Sequence, residues 1–106
     1  MGDSKQIDIH EAKELIDQVG ITIVDIRDAE AYKESHIKDA LSINDENVEN
    51  FVKIADKAQP LICYCYHGNS SQGAADFFVQ SGFVEVYSIQ GGFEEWRGVY
   101  PFVSGS

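Results

Sequence analysis

Two apolar stretches constrain the fold of this chain most. Residues 21–26 have the sequence ITIVDI and residues 61–66 have the sequence LICYCY, so neighbouring positions are almost all apolar. Successive side chains of a strand point to opposite faces, and a strand that is apolar on both faces is typical of a parallel sheet covered by helices on each side. The chain is therefore expected to form an α/β domain.

The segments between the apolar stretches have the periodicity of helices. We predict strands at Gln6–Ile9, Thr22–Ile26, Ala40–Ile43, Leu61–Cys65 and Glu85–Ile89, and helices at His10–Val19, Asn47–Asp56 and Ser71–Ser81. Asp8 followed by Glu11 predicts a cap for the first helix, and Gly82 predicts the end of the third. Strands that alternate with helices indicate a parallel sheet with right-handed crossovers.

Length and charge limit the possible classes of function. The 106 residues are enough for one core, so we expect a single domain over residues 1–106, with flexible ends at residues 1–4 and 103–106. The formal net charge of −10 makes nucleic acid and anionic membrane surfaces poor partners. The first ten residues, MGDSKQIDIH, lack the pattern of a secretory signal, and no apolar run reaches the roughly 20 residues of a membrane span. We therefore expect a cytoplasmic protein.

The chain has two cysteines, Cys63 and Cys65, on one apolar run. In a strand their Cα atoms would be about 6.5 Å apart, near the upper limit for a disulfide. Without histidines at ligand spacing they also make a poor zinc site. Cys63 lies within the run and is interpreted as a core residue. Cys65 ends the run before a glycine-containing loop, which favours a reactive thiol.

The loop after Cys65, with the sequence YHGNSS, leads directly into the third predicted helix. Such a loop can turn successive backbone N–H groups toward the sulfur, and the start of the helix adds its dipole. Both effects favour the thiolate, lower its pKa and make it a nucleophile near neutral pH. The same groups would hold an anionic persulfide without a general base.

Several residues near this loop have alternative interpretations. His67 is not obviously placed to accept the thiol proton, and we favour a loop residue whose side chain points to solvent. Ser70 and Ser71 offer hydroxyl groups to an anion, and either one could cap the following helix. Arg27 beside Asp28 is interpreted as an ion pair or as part of a substrate site.

The aromatic residues around the loop also leave two alternatives open. Tyr66 and Phe93 could form an exposed rim where a partner binds, or they could pack in the core. The segment from Gly91 to Phe93, with Trp96, is interpreted as a tight turn into a helix whose aromatic side chains pack. His36 is interpreted as a structural histidine.

Three separated motifs resemble the rhodanese family. They are VDIRDAEAYKESHIKDA at residues 24–40, the cysteine loop CYHGNSS, and the strand at 86–89 followed by GGFEEW. The loop is most similar to that of the short, single-domain bacterial thiosulfate sulfurtransferases of the GlpE type. The resemblance implies a five-stranded parallel sheet with helices on both faces.

The resemblance also implies a reaction in two steps. A donor such as thiosulfate gives its outer sulfur to Cys65, sulfite leaves, and an acceptor takes the sulfur from the resulting persulfide. Cyanide or a thiol, including thioredoxin or another sulfur-relay protein, is the implied acceptor. Neither a metal nor an organic cofactor is implied. The residues of the implied persulfide-binding loop are Tyr66, His67, Gly68, Asn69, Ser70 and Ser71.

The departures from the family pattern leave alternative functions open. Ser70 stands where many members have an arginine, which predicts weak affinity for thiosulfate, and Ser35 and Asp39 replace glycines of a family turn. A non-catalytic binding or sulfur-relay module is the main alternative, although such domains typically lose the cysteine. A phosphatase is disfavoured because the sixth position after Cys65 is Ser71 rather than arginine. Arsenate reduction usually requires a loop arginine or resolving cysteines.

Overall fold

The computed structural model describes residues 4–18 and 20–105. Strands and helices alternate along this part of the chain, as the sequence predicts. In chain order they are β1 (Lys5–Ile7), α1 (Ile9–Ile16), β2 (Thr22–Asp25), α2 (Ala29–Glu34), β3 (Leu41–Ser42), α3 (Val48–Ile54), β4 (Leu61–Tyr64), α4 (Ser70–Gln80), β5 (Val86–Ile89) and α5 (Gly92–Trp96).

The strands form a five-stranded sheet in the order β1-β5-β4-β2-β3. All of its pairs are parallel, and β4 lies at the centre between β2 and β5. In this register Cys63 of β4 lies beside Val24 of β2 and Ser88 of β5. Every residue of β4 is buried, which confirms the expectation drawn from its continuous apolar sequence.

Helices cover both faces of the sheet, as expected. On one face Ile62 and Tyr64 pack with Ala12 of α1 and with Phe93 and Trp96 of α5. The other face carries the second half of the core, formed with α3 and α4; its members include Leu61, Cys63, Phe51, Ala75 and Phe78. The predicted α/β fold is confirmed.

The ends of the elements show where local chemistry decides the boundary. The Asp8 side chain accepts a hydrogen bond from the amide of Glu11, and the Glu11 side chain accepts one from the amide of Asp8. This confirms the predicted cap and ends β1 at Ile7, two residues before the predicted end. Val19, the predicted end of the first helix, lies outside the described residues. Asp39 has a positive φ of 70°, the conformation for which glycine is the usual residue.

The C-terminal segment lies against the turn after α2. His36 and Val103 exchange backbone hydrogen bonds of 2.8 and 2.9 Å, and Gly105 donates one to the carbonyl of Lys33. The predicted flexibility of residues 1–4 and 103–106 stays a prediction, and residues 1–3 and 106 lie outside the described part of the chain. Within the described residues, every helix is too short or too polar to cross a membrane.

Candidate active site

The cysteine loop lies at the carboxyl end of the central strand, the edge where open α/β sheets bind ligands. Cys65 directly follows β4, and its side chain is 5% exposed. Its Sγ atom accepts hydrogen bonds from the amides of Gly68 at 3.1 Å and Ser71 at 3.3 Å. The loop therefore does turn backbone N–H groups toward the sulfur.

Gly68 gives the loop its inward turn. Its φ is +96°, and a Cβ atom there would lie 3.0 Å from the amide nitrogen of Gly91 and 3.1 Å from the carbonyl oxygen of Ile89. A side chain would thus meet both backbone strain and a fixed neighbour. The side-chain amide of Gln72 donates to the Gly68 carbonyl at 3.1 Å, so α4 also fixes the following peptide.

The start of α5 supports the loop from the neighbouring strand. Phe93 and Glu94 donate their amides to the carbonyls of Cys65 at 2.8 Å and Tyr66 at 3.0 Å. The backbones approach so closely that a Cβ atom on Gly92 would lie 2.5 Å from the Tyr66 carbonyl. The interpretation of this segment as a tight turn with packing aromatics is correct but incomplete, because it also holds the cysteine loop.

The electrostatic environment separates the two cysteines, which are free and both buried. Burial raises the pKa of Cys65, but hydrogen bonds from the Ser71 hydroxyl and from the amides of Ser71, Gly68 and His67 lower it by more. The pKa of Cys65 is therefore below that of an ordinary thiol. Burial, together with a smaller contribution from the neighbouring Cys65, raises the pKa of Cys63 to about 12. Cys63 is the core residue that the sequence predicts.

The two loop serines have different surroundings. Ser71 is fully buried, and its Oγ atom lies 3.5 Å from the sulfur of Cys65 and 2.6 Å from Oγ of Ser88. Ser70 is exposed. The prediction that one of them caps the helix is wrong: Asn69 occupies the cap position without a side-chain bond, and the hydroxyl of Ser71 is engaged at the sulfur instead.

The outer part of the loop forms the entrance to the sulfur. The side chains of His67 and Asn69 are exposed, as expected for His67. Tyr66 is 39% exposed and its hydroxyl donates to the carboxylate of Asp28. This bond raises the pKa of Tyr66 and lowers that of Asp28. The suggested exposed rim therefore includes Tyr66 but not Phe93, which is fully buried.

Arg27 is not paired with the residue beside it in sequence. Its guanidinium donates to the carboxylate of Asp25 at 2.7 Å and to the carbonyl of Ser35 at 2.6 Å. It also stacks 4.2 Å from the ring centre of Phe93. The proposed pairing of Arg27 with Asp28 is thus wrong, because Asp28 caps α2 through the amide of Ala31 and accepts from Tyr66. Arg27 is buried beneath the loop and is not offered to a substrate anion.

Ser88 is a member of the site that the sequence analysis missed. It occupies β5, pairs in register with Cys63 and is 1% exposed. The available signal was a single serine within the short strand VYSI, whose other residues are apolar or aromatic. A lone serine in a strand does not reveal which residue it contacts.

The sequence of the chain matches the profile of the rhodanese-like domain family over residues 8–98. The chain belongs to this family. Rhodanese-like domains are also its structural neighbours: the domain of the Alr3790 protein from Anabaena sp. superimposes with a TM-score of 0.84 at 24% identity, covering 95% of this chain and 80% of that one. The BH2092 protein from Bacillus halodurans, at 36% identity, gives a TM-score of 0.80 over 95% of this chain and 77% of its own.

Two curated relatives of this chain have the same description. The thiosulfate sulfurtransferase GlpE of Pseudomonas savastanoi pv. phaseolicola is 44% identical over 95% of this chain and 94% of its own length. The protein of the same description from Pseudomonas paraeruginosa is 51% identical over 77% of this chain and 74% of its own. These alignments cover most of the rhodanese-like domain described above.

Proposed function

We propose that this rhodanese-like protein is a sulfurtransferase that carries sulfane sulfur as a persulfide on Cys65. The observation that carries the proposal is the sulfur of Cys65 itself, which accepts two amide hydrogen bonds and lies beside the hydroxyl of Ser71. These groups stabilise a negative charge on sulfur without a general base. Relatives described as thiosulfate sulfurtransferases, at 44% and 51% identity, support the same reaction class.

In the first step the thiolate of Cys65 attacks the outer sulfur of thiosulfate. A bond forms between the two sulfur atoms, the bond between the two sulfurs of thiosulfate breaks, and sulfite leaves with its electron pair. The protein retains an anionic persulfide. The reactants, one thiolate and one thiosulfate dianion, carry a total charge of about −3, and the persulfide and the sulfite dianion carry the same total. No proton has to move if the thiol is already ionised.

The persulfide extends one sulfur atom beyond Sγ, into the space bounded by the loop. Under this proposal the amides of the loop hold its charge; the loop residues are Tyr66, His67, Gly68, Asn69, Ser70 and Ser71. Backbone N–H groups suit this task because they add no charge of their own and bind the anion through dipoles. The loop contains no arginine or lysine, so thiosulfate, a dianion, is expected to bind weakly.

In the second step a nucleophilic acceptor attacks the outer sulfur and restores the Cys65 thiolate. Cyanide yields thiocyanate, and a thiolate yields a new persulfide, so atoms and charge balance in both cases. A thiol of thioredoxin or of another sulfur-relay protein is our proposed physiological acceptor. The proposed cytoplasmic location stays a prediction.

The experiment measures thiocyanate formed from thiosulfate and cyanide by the parent protein, by Cys65→Ser and by Cys63→Ala. We expect turnover in the parent and in Cys63→Ala, and only background in Cys65→Ser. After incubation with thiosulfate, the intact mass of the parent and of Cys63→Ala should show one added sulfur that cyanide removes, and the mass of Cys65→Ser should show none. Turnover by Cys65→Ser would refute the proposed nucleophile. A parent that neither turns over nor gains a sulfur from any of several donors would refute sulfur transfer in favour of a binding module.

A further inference from the structure

A pair of buried hydroxyl groups lies beneath the sulfur of Cys65. Ser71 is the second residue of α4, and Ser88 lies on β5, the strand beside β4. Their Oγ atoms are 2.6 Å apart. Only the Ser71 hydroxyl reaches the sulfur, at 3.5 Å. Within the described residues, the bond to Ser71 is the one side-chain hydrogen bond that Ser88 makes.

Cys65, Ser71 and Ser88 form a chain of three hydrogen-bonding groups. The direction of the hydrogen bonds in this chain depends on whether the sulfur of Cys65 carries a proton or a negative charge. When Cys65 is a thiol, its S–H can donate to Ser71, and Ser71 can donate to Ser88. When Cys65 is a thiolate, Ser71 must donate its hydrogen bond to the sulfur. The Ser71 oxygen can then accept a hydrogen bond from the hydroxyl of Ser88. A hydroxyl has one proton and two lone pairs, so with a thiolate no other arrangement bonds all three groups, whereas with a thiol Ser88 can either donate to Ser71 or accept from it.

We propose that Ser88 is a positioning residue that turns the hydroxyl of Ser71 toward Cys65 when the sulfur is negatively charged. In that state Ser88 donates to Ser71, which leaves the Ser71 proton aimed at the sulfur. Each bond in such a chain polarises the next, so the second hydroxyl strengthens the first. The thiol proton itself passes to solvent, and the buried pair transfers no proton onward.

The packing around Ser88 gives no other reason for a hydroxyl at this position. Ser88 is 1% exposed, on the same face of β5 as the buried residue Val86. A hydroxyl buried in such a place is unfavourable unless it is hydrogen bonded, whereas an alanine would have no polar atom to satisfy. The partner that satisfies Ser88 is a group that contacts the reacting sulfur.

Other titratable groups on the surrounding elements do not account for this arrangement. Burial raises the pKa of Cys63 on β4 to about 12, so Cys63 stays neutral while Cys65 titrates. Arg27 is paired with Asp25 after β2. Tyr64 of β4 and Tyr87 of β5 pack on the opposite face of the sheet from Cys63. The groups on the loop, on α4 and on α5 are exposed; they are His67, Asp76, Glu94 and Glu95. Substituting Ser88 changes none of these charges.

The test follows the rate of alkylation of Cys65 by iodoacetamide as a function of pH, with sulfur-free protein. We expect Ser88→Ala to raise the midpoint of this profile by about half a pH unit, or about a threefold loss of rate below the midpoint. Ser71→Ala should raise it more, by about one unit. The double variant should match Ser71→Ala alone, because Ser88 acts through Ser71.

Val86→Ala is the matched control, since it lies on the same face of the same strand, two residues from Ser88. It should lower the thermal midpoint of unfolding and leave the alkylation profile unchanged. An unchanged profile in Ser88→Ala, or the same shift in the Ser71→Ala background, would overturn the proposal. The inference rests on Cys65 as the nucleophile of the proposed function. Alkylation needs no sulfur donor, however, so a failure of sulfur transfer and a failure of the Ser88 proposal are separate results.

Discussion

The contact between Gly92 and the cysteine loop gives a prediction with a definite magnitude. Gly92 has a φ of +58°, and a Cβ atom there would lie 2.5 Å from the carbonyl carbon and oxygen of Tyr66 and 2.6 Å from the carbonyl oxygen of Cys65. Gly92→Ala therefore combines backbone strain with a collision against backbone atoms that cannot rotate away. The hydrogen bond from Phe93 to Cys65, of 2.8 Å, lies at the same contact.

Two other glycines separate these contributions. Gly20 has a φ of +83° with no neighbour within 4 Å of a Cβ atom, so Gly20→Ala adds strain alone, about 1–2 kcal/mol. Gly73 lies within α4 and is equally open but has no positive φ, so Gly73→Ala should stabilise by about 0.5–1 kcal/mol. Gly92→Ala should cost the strain plus about 1–3 kcal/mol of overpacking, or about 2–5 kcal/mol in total.

The assay is urea unfolding of the three variants and the parent. Sulfur loading from thiosulfate is then measured without urea, at a pH where all four proteins are folded. Gly92→Ala should lose loading even where it is folded, because the loop must move to admit the methyl group. Gly20→Ala and Gly73→Ala should load like the parent. If Gly92→Ala were no less stable than Gly20→Ala and loaded sulfur normally, the inferred support of the loop by α5 would be wrong.

Three further predictions concern the core and the first helix. Arg27→Met leaves the buried carboxylate of Asp25 without its partner and should cost about 3–5 kcal/mol in urea unfolding; a loss below about 1 kcal/mol would show that the pair is not needed. Asp8→Ala removes the cap that bonds the Glu11 amide and should cost about 1 kcal/mol, whereas Asp8→Asn should retain most of it. Since burial raises the pKa of Cys63 from 9.0 to about 12, the unfolded thiol ionises first. Stability should therefore fall with rising pH between these values, by up to about 1.4 kcal/mol per pH unit, and less in Cys63→Ala; identical slopes would contradict this.

The parts of the fold that the sequence predicts well depend on local patterns. The apolar run at β4 predicts a strand buried on both faces because no solvated strand needs such a sequence. Asp8 and Glu11 predict a cap because both halves of the motif lie within four residues. The position of Cys65 between a strand and a glycine-containing loop predicts the inward amides, since a short loop before a helix has few ways to turn.

The parts that the sequence does not predict depend on contacts across the sheet. Ser88 reaches Ser71 only because β5 lies beside β4 in a register that local sequence does not specify. Arg27 faces two carboxylates, one residue after it and two residues before it, and the choice of Asp25 depends on the strand direction and on the burial of both partners. Ser71 does not cap α4 because the helix begins one residue earlier, which places Asn69 at the cap position and Ser71 inside the first turn.

Cys63 and Cys65 show how the end of a strand can lower the pKa of a thiol. Both are cysteines on one apolar run, two residues apart and both buried. Cys63 lies within the ladder of the sheet, where backbone amides are already paired, and its thiol meets the carbonyls of Ser71 at 3.4 Å and Tyr87 at 3.5 Å. Carbonyl oxygens accept a hydrogen bond from a thiol and repel a thiolate. Like burial, they therefore favour the neutral form of Cys63.

Cys65 lies just after the last residue of β4, where the chain leaves the ladder and its next amides are free to turn. Those amides then donate to its sulfur and lower the pKa of Cys65 despite its burial. The two thiols thus differ in their depth of burial and in the direction of the backbone dipoles around each sulfur. Stabilisation of a thiolate on Cys65 therefore needs no basic side chain, and the imidazole of His67 is exposed.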